Sequence, residues 1–520
     1  MPAYYLEALT VTLGIVLLMA EAFSPGKSKA WLGIAGAIGL AVILILTFFA
    51  FGPDQAAKGA VMENGAVVLK TKSFETWTTW PLWNFYQFDA SAKFYKIFSL
   101  LTTILVLLLA VDYRKVLARF TDHPGSENGT GEYYCLPIFA CAGMMWVASA
   151  KDLAGAFVAL ELVTITFYIL VSFMRRNVGS LEAGVKYLII GALSTGFLVY
   201  GIAWVYGTLG TMNLAEMSEA LLPRLVTPIA SDPVPYAAVS QTPLLFGIGL
   251  VLIGLGFKIG AVPTHIWIPD VYQGAPTPTT AFLSVGSKAA GFILLMRFLE
   301  PFLASDLTRS SVITLLAILA GATLLFGNLA AISQSNFKRL LGYSSIAHAG
   351  FLLLALAAGN PGSDKALSSN EVVSFYLATY LLMTLGVFFV LSQIRIQRDG
   401  ESINDFNGLG KTNPTLAFAL TILLAALAGV PLTAGFWGKF FVFSLAVEAD
   451  LWLPVVIAFV GAAASFYYYF KVIRAMWWSA PADGTKPLVL PTITKAAVGF
   501  LTAAVLLFGI WPQPILALLK

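Results

Sequence analysis

Charge is what this sequence has least of. Only 11% of its 520 residues are Asp, Glu, Lys or Arg, while 58% are hydrophobic, and the mean hydropathy is +0.82. Soluble domains carry about 25% charged residues, so this chain lacks the means to solvate a surface, and lipid must be its solvent. Cysteine is nearly absent: Cys135 and Cys141 are the only two. Zinc and iron–sulfur sites need about four ligands at tighter spacings, so both are read as buried thiols. The net charge of +4 is small and spread along the chain, which gives no sign of a nucleic-acid partner. No basic stretch opens the chain, and Glu7 interrupts its first apolar run. That start is read as a retained span rather than a cleaved leader. No phosphate loop or nucleophile–base constellation occurs. Gly254, Gly256 and Gly260 have the wrong spacing for a dinucleotide loop and lie in an apolar span, where small residues serve helix packing.

What the chain has is long apolar runs. In lipid every backbone N–H and C=O must be paired internally, so only helices or closed barrels span. Barrel strands would alternate over about 10 residues. The runs here are continuous over about 20 residues, as a spanning helix requires. They fall at 4–23, 31–51, 94–111, 134–150, 153–174, 183–206, 243–262, 280–302, 312–332, 340–358, 372–394, 414–442, 451–472 and 494–510. The expected fold is therefore an all-α polytopic membrane protein of about 14 transmembrane helices. Lys and Arg favour cytoplasmic loops. Alternate loops hold Lys27 and Lys29; Arg114, Lys115 and Arg119; Arg175 and Arg176; Lys338 and Arg339; Arg395, Arg398 and Lys411; Lys471 and Arg474. The bias places both termini outside the cytoplasm. Two polar inserts, 52–92 and 208–242, fall on that outer side, and Asn64-Gly65 in the first reads as a hairpin turn.

Helix breakers interrupt two spans, at Gly254–Pro278 (GLGFKIGAVPTHIWIPDVYQGAPTP) and at Ala428–Phe440 (AGVPLTAGFWGKF). Broken helices persist in membranes where protein or a wet cavity surrounds them, and matching breaks in two halves point to inverted repeats. Five-helix units at 134–302 and 303–478 put each break in the fourth helix of its unit. Residues 1–133 then form three N-terminal helices with the first insert, and 479–520 the last helix.

An ionisable group at bilayer depth costs about 2.5–3.5 kcal/mol or more, so each needs a reason. Glu161 and Lys288 lie mid-span, Lys258 just before the first break, Lys439 after the second, and His348 in a run of small apolar residues. Snorkelling of Glu161, Lys258 or Lys288 would be strained. His348 and His265 could equally be satisfied core histidines. Lys186 could snorkel, or pair with Glu182 at i,i+4. His123, in a polar loop, is given no role. A lysine in water holds its proton far above neutral pH. Desolvation favours the neutral amine and a nearby carboxylate the ammonium, so moving the carboxylate can load and unload the lysine. Buried lysine is a poor sodium ligand, and the chemistry favours protons.

FKIGAVPTHIWIPDVYQGAPTPTTAFLSVGSKAAGF, NFKRLLGYSSIAHAG and AGVPLTAGFWGKF resemble three signature segments of the antiporter-like subunits of respiratory complex I. The resemblance runs over about Tyr134 to Trp478. DVYQGAPTP and Lys439 are similar to the N-type branch, where L and M types and multisubunit sodium/proton antiporters tend to differ. The resemblance implies 14 helices with two inverted five-helix repeats. It implies proton-translocating roles for Glu161, Lys258, Lys288, His348, Lys439 and the acidic Glu182. It further implies a bacterial-type inner membrane, neighbouring antiporter-like and small helical subunits, and FMN, iron–sulfur clusters and quinone elsewhere in the complex. This chain is expected to hold no cofactor, metal or redox site of its own. A cation/proton antiporter subunit and a haem- or quinone-binding structural subunit remain the alternative readings.

Overall fold

The computed structural model describes residues 1–24, 28–52, 61–63, 66–68, 81–121, 124, 126–127, 129–221, 241–359, 367–481, 484 and 486–519. Helices account for nearly all of them. Three helices lead: α1 (Tyr5–Ala22), α2 (Ala30–Thr47) and α3 (Ala90–Arg119). Between the last two, β1 (Val61–Glu63) and β2 (Ala66–Val68) pair antiparallel with Glu63 opposite Ala66. The remainder of the first insert at 53–60, 64–65 (the expected Asn64-Gly65 turn) and 69–80, most of the second at 222–240, and His123 lie outside the described residues.

There follow α4 (Glu132–Ser149), α5 (Leu153–Val171), α6 (Val178–Leu209) and α7 (Gln241–Ile259). Beyond the first break come α8 (Ile268–Gly274) and α9 (Thr277–Ala304). The rest are α10 (Arg309–Ile332), α11 (Phe337–Ala358), α12 (Ser369–Arg398), α13 (Pro414–Ala428), α14 (Ala434–Glu448), α15 (Trp452–Trp478) and α16 (Thr492–Ile510). Among the described residues, twelve helices are long and apolar enough to cross a membrane. Several begin where a short polar side chain accepts the free N–H groups of the first turn: Asp89 at α3, Asp152 at α5, Asn177 at α6 and Asn336 at α11. Ser368 and Glu371 form a reciprocal capping box at α12. All of these except α5 start earlier than the apolar runs do, because the polar first turns carry no hydrophobic signal.

Both breaks turn on a left-handed glycine, Gly260 (φ 79°) after α7 and Gly429 (φ 94°) after α13. Neither position suits a residue with a side chain. Gly254 does serve packing, since a Cβ there would meet Leu198 Cβ of α6 at 2.7 Å. The most buried helices are α9, α11 and α12. Large apolar side chains such as Val42, Ile189, Leu193, Phe459 and Phe500 stay exposed around the outside, as a lipid-facing perimeter requires. Within the spans, Lys258, Lys288 and Lys439 are buried away from that perimeter.

Candidate functional site

Glu161 lies mid-way along α5, its side chain 20% exposed, and Lys258 ends α7, its side chain 3% exposed. Lys258 Nζ is 4.0 Å from Glu161 Oε1 and donates a short hydrogen bond to Thr164 Oγ1. Glu161 Oε1 accepts a hydrogen bond from Thr195 Oγ1 of α6 at 2.9 Å. Each charge has a hydroxyl partner of its own, so the pair is near contact but not locked. Such a pair can be opened without stranding either group.

Lys288 sits directly behind a π-helical turn, Leu283–Ser287, within α9. Such turns add a residue to the helix and are frequent at functional sites; nothing in the local sequence announced it. Lys288 Nζ donates to the carbonyl of Ser345 and to Ser345 Oγ, the latter at 2.6 Å. Ser345 Oγ also bonds Tyr272 OH of α8 at 3.0 Å. The ammonium lies over the Tyr380 ring, 5.5 Å from its centre. That ring is 4.9 Å from the imidazole of His348. His348 Nδ1 bonds Tyr376 OH at 2.7 Å, and Nε2 is 3.3 Å from Tyr469 OH. Tyr469 in turn bonds Ser344. His348 is thus satisfied entirely by phenols, which can both donate and accept.

Lys439, on α14, donates to the Ala428 carbonyl at 2.7 Å and to Ser465 Oγ at 3.3 Å. Its ammonium lies 5.2 Å from the centre of the Phe351 ring, which stacks on Tyr376 with centroids 6.4 Å apart. The Ala428 carbonyl is exposed by the break, so the broken helix end supplies the lysine's acceptor. Lys258 and Lys439 occupy opposite limbs of their breaks. The first ends the limb before Gly260, and the second lies in the limb after Gly429.

Glu182 does not join these groups. Its side chain is 61% exposed and pairs with Lys186 at 2.7 Å, the i,i+4 contact expected from the sequence. Lys186 also binds Asp270 at 2.7 Å, and Asp270 binds Arg339 at 2.5 Å. Glu182, Asp270 and Arg339 line a cleft of about 500 Å³ shared with Lys338, Arg395 and Glu401. Asp399, which also lines this cleft, pairs with Arg119 at 3.6 Å. His265 is buried against the Phe326 ring, 4.2 Å between centroids, and among the described residues neither ring nitrogen has a side-chain hydrogen-bond partner. It has no link to the other groups.

Sequence reading missed the hydroxyls: Thr164, Thr195, Tyr272, Ser345, Tyr376, Tyr380 and Tyr469. A weak signal was present, because Tyr376 and Tyr380 stand at i,i+4, and Ser344, Ser345 and His348 share one helix face. It also missed a buried pair between Glu7 and Lys96. Among the described residues no group of three or more His, Cys, Asp or Glu could hold a metal ion. Cys135 and Cys141 are buried and free.

Residues 150–465 match the family described as NADH:quinone oxidoreductase/Mrp antiporter, TM. NADH-quinone oxidoreductase subunit N of Trichlorobacter lovleyi is 37% identical over 94% of this chain and 91% of its own length. Subunit N 1 of Opitutus terrae is 42% identical over 81% of each. A chain in respiratory complex I from Thermus thermophilus is 29% identical, with a TM-score of 0.72 over 98% of both chains. A chain of the Mrp complex from Dietzia sp. shares the fold at 18% identity, with a TM-score of 0.76 over 99% of this chain and 96% of that one.

Proposed function

The chain belongs to the NADH:quinone oxidoreductase/Mrp antiporter family as a proton-translocating membrane subunit of NADH-quinone oxidoreductase, and we propose that its protons travel along Glu161, Lys258, Lys288, His348 and Lys439. The observation that carries this reading is the row of buried basic groups, each bonded to a hydroxyl or carbonyl of its own, with Tyr380 packed against both Lys288 and His348. Opening the 4.0 Å Glu161–Lys258 pair withdraws the carboxylate's attraction for the ammonium, and the lysine passes its proton on. Lys288 receives it on an amine oriented by Ser345, and the phenols around His348 hand it towards Lys439. Where side chains do not touch, water between them completes the transfer. Carrying one charge against 100 mV costs about 2.3 kcal/mol, so the drive comes from quinone reduction in neighbouring subunits.

In this reading the chain crosses a bacterial-type inner membrane fourteen times. The twelve long helices are joined by α4 and by the broken pair α13 and α14. Two inverted five-helix repeats, 134–302 and 303–478, hold one break each. Both termini lie outside, and the cleft at Glu182 and Asp270 faces the cytoplasm. Glu182 serves that mouth as an acidic collector rather than a member of the buried chain. Antiporter-like and small helical subunits flank the chain. FMN, the iron–sulfur clusters and quinone belong to other parts of the complex, since two separate buried thiols do not fit a cluster. The antiporter reading is disfavoured because the oxidoreductase subunits are 37% and 42% identical to this chain while the Mrp chain is 18% identical.

Lys288→Ala tests the reading. In membranes with normal complex content it should lose most proton translocation and slow coupled quinone reduction. Unchanged proton yield per electron would remove the central step.

A further inference from the structure

A charge pair outside the proton chain lies where the sequence offered only apolar spans. Glu7, in the first turn of α1, and Lys96, in α3, make a direct carboxylate–ammonium contact, with side chains 5% and 0% exposed. Tyr86 OH reaches the two carboxylate oxygens at 3.2 and 3.1 Å. A pair taken this far out of water persists only when further hydrogen bonds complete it. Lys96 makes one more, to the Met145 carbonyl of α4 at 3.1 Å. One turn along, Arg297 of α9 donates from Nε and Nη2 to the Ala148 carbonyl at 3.0 and 2.6 Å. It also closes a two-pronged pair on Asp89 at 3.1 and 2.9 Å. Two cations from different helices therefore hold the carbonyl end of α4, where a helix leaves acceptors unpaired and carries partial negative charge. Gln87 N–H donates to the Ser149 carbonyl at 2.8 Å and Lys151 N–H to the Phe85 carbonyl at 3.0 Å, fastening the same turn.

Only Ala150, Lys151 and the cap Asp152 separate this turn from α5. The two helices are in intimate contact: a Cβ on Gly143 of α4 would meet Val163 Cγ2 at 2.8 Å and the Ala159 carbonyl at 3.0 Å. Those two residues bracket Glu161. Beside this contact a cleft of about 670 Å³ opens between the helices, lined by Glu7, Ala142, Trp146, Val158 and Leu162, so Gly143 is the point through which a shift at the end of α4 is delivered to the backbone around Glu161. Arg297 lies on α9, the helix of Lys288, and so ties the same turn to the next proton carrier.

Resting on the role given above to Glu161, we propose that Glu7, Lys96 and Arg297 are positioning residues: they clamp the carboxyl end of α4 and so set the Glu161–Lys258 separation. Glu7 and Lys96 act as a neutral couple and exchange no proton in turnover. Widening the 4.0 Å separation by about 1 Å would change the proton equilibrium of that pair roughly fourfold at an effective dielectric near 20.

The test uses the whole complex in membranes, with variants Glu7→Gln, Lys96→Met and the double Glu7→Gln/Lys96→Met. Three quantities are read: complex content, protons moved per electron, and the infrared carboxyl band that disappears in Glu161→Gln. Each single variant strands a buried charge and should change the band's population ratio roughly fourfold and lower the proton yield at normal content. The double variant, which leaves no stranded charge, should recover both. Failure of the double to recover would overturn the proposal, because the ionised pair itself would then be used. Singles that lower content alone, with band and yield unchanged, would overturn it too. If the single variants do not assemble, Tyr86→Phe removes one donor from Glu7 and decides: an unchanged band refutes the clamp. Normal pumping by Glu161→Gln would instead refute the reading of Glu161 on which this rests.

Discussion

Glu161→Gln and Glu161→Asp differ in charge far more than in shape, and the Glu161–Lys258 geometry says how far apart their effects should lie. Two unit charges 4.0 Å apart attract by about 4 kcal/mol at an effective dielectric near 20, an appropriate value for a side chain still 20% exposed. Glutamine removes that attraction altogether. The amide still accepts from Thr195, so the local packing survives while the switch is lost. Aspartate keeps the charge and retracts it by roughly one methylene, to about 5.3 Å, where about 3 kcal/mol of the attraction remains. Glu161→Asp should therefore lose part of its proton pumping and Glu161→Gln most of it. The assay is generation of membrane potential alongside quinone reductase rate, at matched complex content. Equal pumping by the two variants would show that the carboxylate packs rather than switches, and would refute the reasoning.

Lys258→Ala should abolish pumping and depress coupled quinone reduction while the complex still assembles, because the residue's hydrogen bond to Thr164 joins side chains rather than backbone; normal pumping would exclude it from the path. Lys439→Ala should cut turnover by stalling the chain at its last carrier, whereas Lys439→Glu should keep part of the activity, since a protonated carboxyl can donate to the Ala428 carbonyl that now accepts from the lysine. Wild-type potential generation in Lys439→Ala would remove that residue from the pathway.

Much of this protein was set by composition and order alone. A chain with 11% charged residues must span lipid, and lipid permits helices because each pairs its own backbone within a few residues. That pairing is local, so the spans were legible from the apolar runs, and their breaks from Val262-Pro263 and Gly429-Val430-Pro431. The cost of charge at bilayer depth singled out Glu161, Lys258, Lys288 and Lys439 before any fold was known. The tertiary structure decided which groups meet. Glu182 stands in the first turns of α6, and its side chain opens into a charged cleft instead of joining the buried lysines. Its i,i+4 spacing to Lys186 showed the pairing but not the exposure. Glu7 and Lys96 stand 89 residues apart in the chain, and Tyr95 and Ser374 stand 279 apart. No local pattern brings such groups together. Their contacts are set by how helices cross and by which face each turns inward. In a chain that is apolar on every side, hydrophobic periodicity barely distinguishes the inward face from the lipid-facing one, so the sequence could mark the charges but only the packed helices could pair them.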